Sequence, residues 1–96
     1  MIEVLKTDVF SEWVEELKDC SVQARILERI NRIKLGNFGD YKALGGGLFE
    51  LRLDFGPGYR MYYVRKGSLI ILLLCGGDKS TQKKDIAKAK KIMKEQ

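Results

Sequence analysis

Leu48-Phe49-Glu50-Leu51-Arg52-Leu53-Asp54-Phe55 is the stretch on which the fold turns. Apolar and polar residues alternate with a period of two. Phe49, Leu51, Leu53 and Phe55 fall on one side, and Glu50, Arg52 and Asp54 on the other. That period is the signature of a half-buried strand. Gly56-Pro57-Gly58 turns the chain, and Tyr59 to Arg65 forms a second strand. Lys66-Gly67 turns it again into Leu69-Ile70-Ile71-Leu72-Leu73-Leu74-Cys75. This third run has no polar alternation and is expected to be covered on both faces, as a central strand.

Working outward, Ile2 to Leu5 reads as a first strand that joins the same sheet. Thr7 or Asp8 can cap a helix in which Phe10, Trp13, Val14 and Leu17 share one face. Asp19-Cys20-Ser21 breaks it in a loop. Ser21 is the expected N-cap of a second helix, which carries Val22, Ile26, Ile30 and Ile33 inward and ends at Gly36. So short a link predicts an antiparallel helical hairpin. Residues 36–47, punctuated by five glycines, are expected to form a loop. After Gly76-Gly77, read as a turn, a lysine-rich helix starts near Ser80 or Thr81 with Ile86, Ala89, Ile92 and Met93 as its apolar stripe. The expected fold is one α+β domain over residues 1–96: an N-terminal strand and helical hairpin, an antiparallel three-strand meander, and a C-terminal helix. The helices are expected on one face of a single sheet.

Composition narrows the function. The chain has 96 residues and no histidine, which excludes Ser-His and Cys-His catalysis and most transition-metal sites. Two cysteines, Cys20 and Cys75, are too few for a disulfide scaffold or a four-cysteine zinc site. The longest apolar run, residues 69–75, falls far short of the roughly 20 residues that span a bilayer. No basic stretch precedes an apolar one at the N-terminus, so the chain reads as cytosolic, without membrane association. The net charge of +5 is unevenly spread: residues 1–58 carry −2 and residues 59–96 carry +7. Seven of the cations are lysines between Lys79 and Lys94. A basic end on a small domain suits a polyanion or an acidic protein, and equally serves as a solvated face.

Strand parity sharpens this. With Met61 and Tyr63 inward, Arg60, Tyr62 and Val64 face the same side as Glu50 and Arg52. A direct hairpin then sets Arg52 beside Arg60. Two adjacent arginines repel unless an anion lies between them or Glu50 or Asp54 neutralises them. At Cys75-Gly76-Gly77-Asp78-Lys79-Ser80-Thr81 the free N–H groups of a helix start, with Lys79 beside them, favour an anion, although Ser80 or Thr81 as a plain cap fits too. The spacing is not that of a P-loop, which excludes nucleotide hydrolysis. Arg52, Arg60 and Lys79 can surround one phosphate, with Tyr62 close by. RNA brings its own nucleophile, the 2′-hydroxyl, so cations that stabilise a pentacovalent phosphorane need no metal or other cofactor.

The blocks Gly47 to Arg52, Gly56 to Tyr63 and Gly76 to Ile86, with the Trp13 helix and the Gly36 to Asp40 loop, resemble the phage-derived, HigB-like branch of the RelE/ParE toxin superfamily. The resemblance covers essentially the whole chain. It implies the toxin of a type II toxin–antitoxin module: an mRNA endonuclease that cuts on translating ribosomes without metal and is neutralised by a helix-turn-helix antitoxin. Arg60 falls where RelE-type toxins place the arginine that stabilises the scissile phosphate. Lys79 falls near their second basic residue, and Arg52 matches the family's Glu-Leu-Arg. Tyr62, Gln82, Lys83 and Lys84, which lie around these positions, are the candidates for substrate binding. The C-terminal tyrosine and the histidines of better-studied relatives are missing, and Gln82, Lys83 and Asp85 occupy that region. Alternatives are a ParE-like inhibitor of DNA gyrase and a basic nucleic-acid-binding module without activity.

Overall fold

The computed structural model describes residues 1–96. Five strands and three helices follow in the order β1 (Glu3–Lys6), α1 (Asp8–Glu16), α2 (Cys20–Lys34), β2 (Tyr41–Gly45), β3 (Leu48–Leu53), β4 (Tyr59–Lys66), β5 (Ile70–Asp78) and α3 (Gln82–Lys94), with a single 3-10 turn, Lys79–Thr81, ahead of α3. The sheet order is β1-β5-β4-β3-β2. β1 runs parallel to β5, and every other neighbouring pair is antiparallel. The domain is therefore α+β with a five-stranded mixed sheet. No helix is long and apolar enough to cross a membrane.

The alternating pattern does what its period requires. Leu51, Leu53, Met61 and Tyr63 point to one face, where they meet Phe10 of α1 and Val22, Ile26, Ile30 and Ile33 of α2. The apolar run of β5 is an interior strand, lying between β1 and β4. Thr7 caps α1 by accepting the Phe10 N–H at 3.1 Å, and its hydroxyl donates to the Leu74 carbonyl at 2.6 Å, pinning the helix start to β5. The two helices are tied by Gln23, whose amide donates to the carbonyls of Val14 and Leu17 at 2.9 and 2.8 Å.

Four expectations are corrected. The first concerns the faces of the sheet. The helices do not share one face: α3 covers the other, where Ala89 packs with Leu48, Tyr62, Val64, Leu72, Leu74 and Cys75. Because the strands carry apolar residues in both parities, a second cover is needed to remove them from water. The second concerns the stretch read as a glycine loop, which contains β2, paired with β3 at the sheet edge. Tyr41, Lys42 and Ala43 are all exposed, so β2 has no apolar alternation to betray it.

The third correction moves a cap. The N-cap of α2 is Asp19, which accepts from Ser21 N at 2.9 Å and Ser21 Oγ at 2.7 Å, so that Cys20 opens the helix. The fourth turns Gly76-Gly77 from a turn into strand. Both continue β5, paired with Met61 and Arg60. They are glycines because other groups occupy their side-chain space. A β-carbon on Gly76 would collide with the Trp13 ring, and one on Gly77 with the Asp85 carboxylate.

The Trp13–Gly76 contact is testable. Gly76→Ala is expected to lower unfolding free energy by about 2 kcal/mol in urea titrations, since core overpacking costs typically 1–3 kcal/mol. The double variant Gly76→Ala, Trp13→Leu should recover part of that loss. Wild-type stability in Gly76→Ala would contradict the packing.

Candidate anion site beneath the last helix

The hairpin pairing sets Arg52 directly opposite Arg60, and Arg60 opposite Gly77. Two residues along, the next row on the same face is Glu50, Tyr62 and Cys75. Both rows face α3. The adjacency of the two arginines thus follows from strand parity and the Gly56-Pro57-Gly58 turn.

Glu50, expected to face outward, does point away from the main core but is fully buried beneath α3. Burying a carboxylate is costly unless both oxygens are bound. Arg52 Nε donates to Glu50 Oε1 at 3.1 Å, and Gln82 Nε2 donates to Glu50 Oε2 at 2.7 Å. Arg52 is accordingly neutralised from within the protein. Gln82, a candidate for substrate binding, is spent on the same carboxylate and fastens the first turn of α3 to β3.

Arg60 is different. No carboxylate lies within ion-pair distance of it, and its buried Nε has no hydrogen-bond partner. Its Nη1 donates only long bonds, to the carbonyls of Gly58 at 3.4 Å and Tyr59 at 3.3 Å. Gly58 adopts φ +79°, and a β-carbon there would lie 3.4 Å from Lys79 Cβ and 3.6 Å from Arg60 Nη1. The structure therefore brings Lys79 and Arg60 together across this glycine. Beside Arg60, Tyr62 is wholly buried, its hydroxyl making no bond of good geometry but lying against the Glu50 carboxylate. Burial, and then the charge of Glu50, hold its phenol well above the ordinary range, so it stays protonated and able to donate. Lys83 and Lys84 are exposed on α3 and form no ion pair.

The helix start is not an open anion cradle. Asp78 places its own carboxylate there, accepting from Ser80 N at 2.8 Å and from the Ser80 hydroxyl, whose bond chiefly holds the Asp78 carboxyl below its usual range. A capping aspartate supplies the negative charge that a bound phosphate would otherwise bring. Burial pushes the Cys75 thiol up to about 11, which leaves it an inert core residue. No group of three or more acidic or cysteine side chains converges as a metal site would require.

Glu50 neutralises Arg52, one of the two outcomes open from the sequence, but its burial and the placement of Asp85 were not read from the residues. Glu50 had a legible signal, since Leu48, Tyr62, Val64, Leu72 and Leu74 share its parity and predict a covered face. Asp85 had none, because its place depends on the missing side chain of Gly77. A groove of about 300 Å³, lined by Arg25, Arg29 and Arg32 together with Glu28 and Asp54, lies at α2 away from this site. Its cations are already engaged: Arg32 with Glu28, Arg25 over the Phe55 ring at 4.2 Å, and Arg29 with the carbonyls of Phe38, Asp40 and Arg52.

A small α+β domain with a cationic site on the face of its sheet is the class that these features define. Residues 12–94 match the family described as Phage derived protein Gp49-like (DUF891), and the chain belongs to that family. A protein of Haemophilus influenzae described only as uncharacterized is 47% identical over 94 residues, which cover 98% of this chain and 95% of that one. The solution structure of the conserved hypothetical protein HP0894 from Helicobacter pylori is similar with a TM-score of 0.57. At 17% identity, over 83% of this chain and 97% of that one, the likeness is one of fold.

Removing the buried carboxylate should be expensive. Glu50→Ala is expected to cost about 2–3 kcal/mol, below the usual 3–5 kcal/mol for breaking a buried pair because Arg52 retains some access to water. Equilibrium urea unfolding measures it. A change under about 0.5 kcal/mol, the scale of ordinary surface substitutions, would show that Glu50 does not organise this face.

Proposed function

We propose that this chain is the toxin of a type II toxin–antitoxin module, of the HigB-like branch of the RelE/ParE superfamily. In this reading it is an mRNA endonuclease that cuts messages on translating ribosomes in the cytoplasm. The single observation that carries the reading is Arg60, a guanidinium with a buried, partnerless Nε and no neutralising carboxylate. A protein keeps such a group at some cost, and a phosphate oxygen is the ligand whose charge and acceptor geometry it suits.

In the reaction, Arg60 and Lys79 stabilise the charge that builds on phosphorus as the adjacent 2′-oxygen attacks. Tyr62, wholly buried beneath α3 and held protonated, backs Arg60 from below and does not reach the RNA. Arg52 sets the edge of the site and is kept in place by Glu50. Lys83 and Lys84, with the other exposed lysines of α3, attract the RNA backbone in a salt-dependent way. Membership of the Gp49-like family and the small α+β fold support this assignment. A cognate helix-turn-helix antitoxin would silence the toxin by occupying the cationic face with acidic residues.

The test is in vitro translation of a defined message with wild-type protein and Arg60→Ala, with 5′ ends mapped by primer extension. Wild type should create new ends only when the message is translated. Arg60→Ala should cut about 10²–10³-fold more slowly, the loss typical of one transition-state donor, while ribosome affinity stays within a few-fold. An intact message with wild-type protein would overturn the nuclease reading and direct attention to DNA gyrase.

A further inference from the structure

The cleavage reaction needs a group to take the 2′-hydroxyl proton, and the chain has no histidine to do so. Near this site the Asp78 carboxylate is held by Ser80 as the cap of the 3-10 turn, which leaves two carboxylates under α3 on the sheet face that carries Arg60. Glu50 is fully buried with Oε1 and Oε2 both bound, so it has no way to reach a substrate proton. Asp85 is half-buried on the first turns of α3, and only its Oδ2 is engaged, accepting from the Thr81 hydroxyl. Its Oδ1 has no hydrogen-bond partner, and Asp85 forms no ion pair.

Its position is set by a glycine. The Asp85 carboxylate occupies the space that a side chain on Gly77 would fill. Gly77 is the direct cross-strand partner of Arg60, and such partners lie about 5 Å apart between their α-carbons. The carboxylate is thus one strand away from the unpaired arginine and on the same face. Its charge also reaches Tyr62, where it adds to that of Glu50 in raising the phenol.

We infer that Asp85 is the general base of the proposed RNA cleavage, a role that rests on the nuclease reading given above. Asp85 Oδ1 takes the proton from the 2′-hydroxyl as O2′ bonds to phosphorus. The P–O5′ bond breaks, and the leaving 5′-oxygen collects a proton from solvent water. The products are a 2′,3′-cyclic phosphate and a 5′-hydroxyl end, and Asp85 returns its proton to solvent. Thr81 is the positioning residue that orients the carboxylate. Gly77 keeps the space open.

The experiment uses the full chain on translating ribosomes programmed with a defined message, under single-turnover conditions. Binding is measured separately on the same message carrying a 2′-deoxynucleotide at the mapped cut. Asp85→Asn keeps an acceptor for Thr81 and should slow cleavage at least about 100-fold, the lower range for general base catalysis. It should bind as tightly as wild type or more tightly, because a negative charge has left a phosphate site. In Asp85→Ala, added formate should restore cleavage in proportion to its concentration. Cleavage by Asp85→Asn at the wild-type rate would overturn the assignment. So would a parallel loss of binding and rate with no response to formate, which marks a merely structural role. Absence of cleavage by wild type is a separate result, and it overturns the nuclease reading and the base together.

Discussion

One buried carboxylate sets the arrangement of this face. Glu50 has no contact with water, so its charge survives in the interior only through Arg52 on one oxygen and Gln82 on the other. The first bond lies along β3 and the second crosses to α3, so a single group joins the helix to the sheet. The apolar contacts of Ala89 with Tyr62, Leu74 and their neighbours supply the area that holds α3 down. Those contacts have no direction, whereas the carboxylate fixes where the first turn of α3 sits. From that follow the placement of Asp85 over Gly77 and the roof above Tyr62.

The same pairing sorts the cations. Two neighbouring arginines on a sheet are electrostatically equivalent until one receives a counter-charge. Glu50 gives it to Arg52, two residues away on the same strand, and not to Arg60 across the pair. Asp78 likewise removes the backbone amides of the helix start from competition for an anion. What is left is one unpaired guanidinium with Lys79 at its side and a protonated phenol next to it. Buried phenols without a partner occur on both faces of the sheet, at Tyr62 and Tyr63, but Arg60 Nε belongs to a charged group. Stability alone gives no reason to keep an unpaired guanidinium there, whereas a ligand that supplies acceptors does.

Much of this was legible in the residues because the period of a strand is two. The parity of 48–55 and 59–65 placed Arg52 against Arg60, and the unbroken run at 69–75 placed β5 inside the sheet. What escaped depends on partners distant in sequence. β2 is an exposed edge held by pairing alone, so no apolar pattern marks it. Gly76 and Gly77 look like a turn, but they pair with Met61 and Arg60 as strand and are glycines because Trp13 and Asp85 fill the space where their side chains would be. Glu50 reads as an ordinary outward residue until the apolar parity of β4 and β5 is recognised as a second buried face. Thr81 is the N-cap of α3, within the expected pair Ser80 or Thr81, and the 3-10 turn ahead of it, capped by Asp78, has no signal of its own in the sequence.

The central claim is that Arg60, and not Arg52, is the arginine that meets a phosphate. Side-chain 15N NMR of the arginine Nε–H groups tests it most directly, during titration with a short single-stranded RNA made uncleavable by 2′-deoxy substitution. The account predicts a large, saturable shift of the Arg60 Nε–H resonance, with the Arg52 Nε–H resonance held nearly still by its bond to Glu50. A shift of Arg52 with Arg60 unmoved, or changes confined to the lysines of α3, would contradict it.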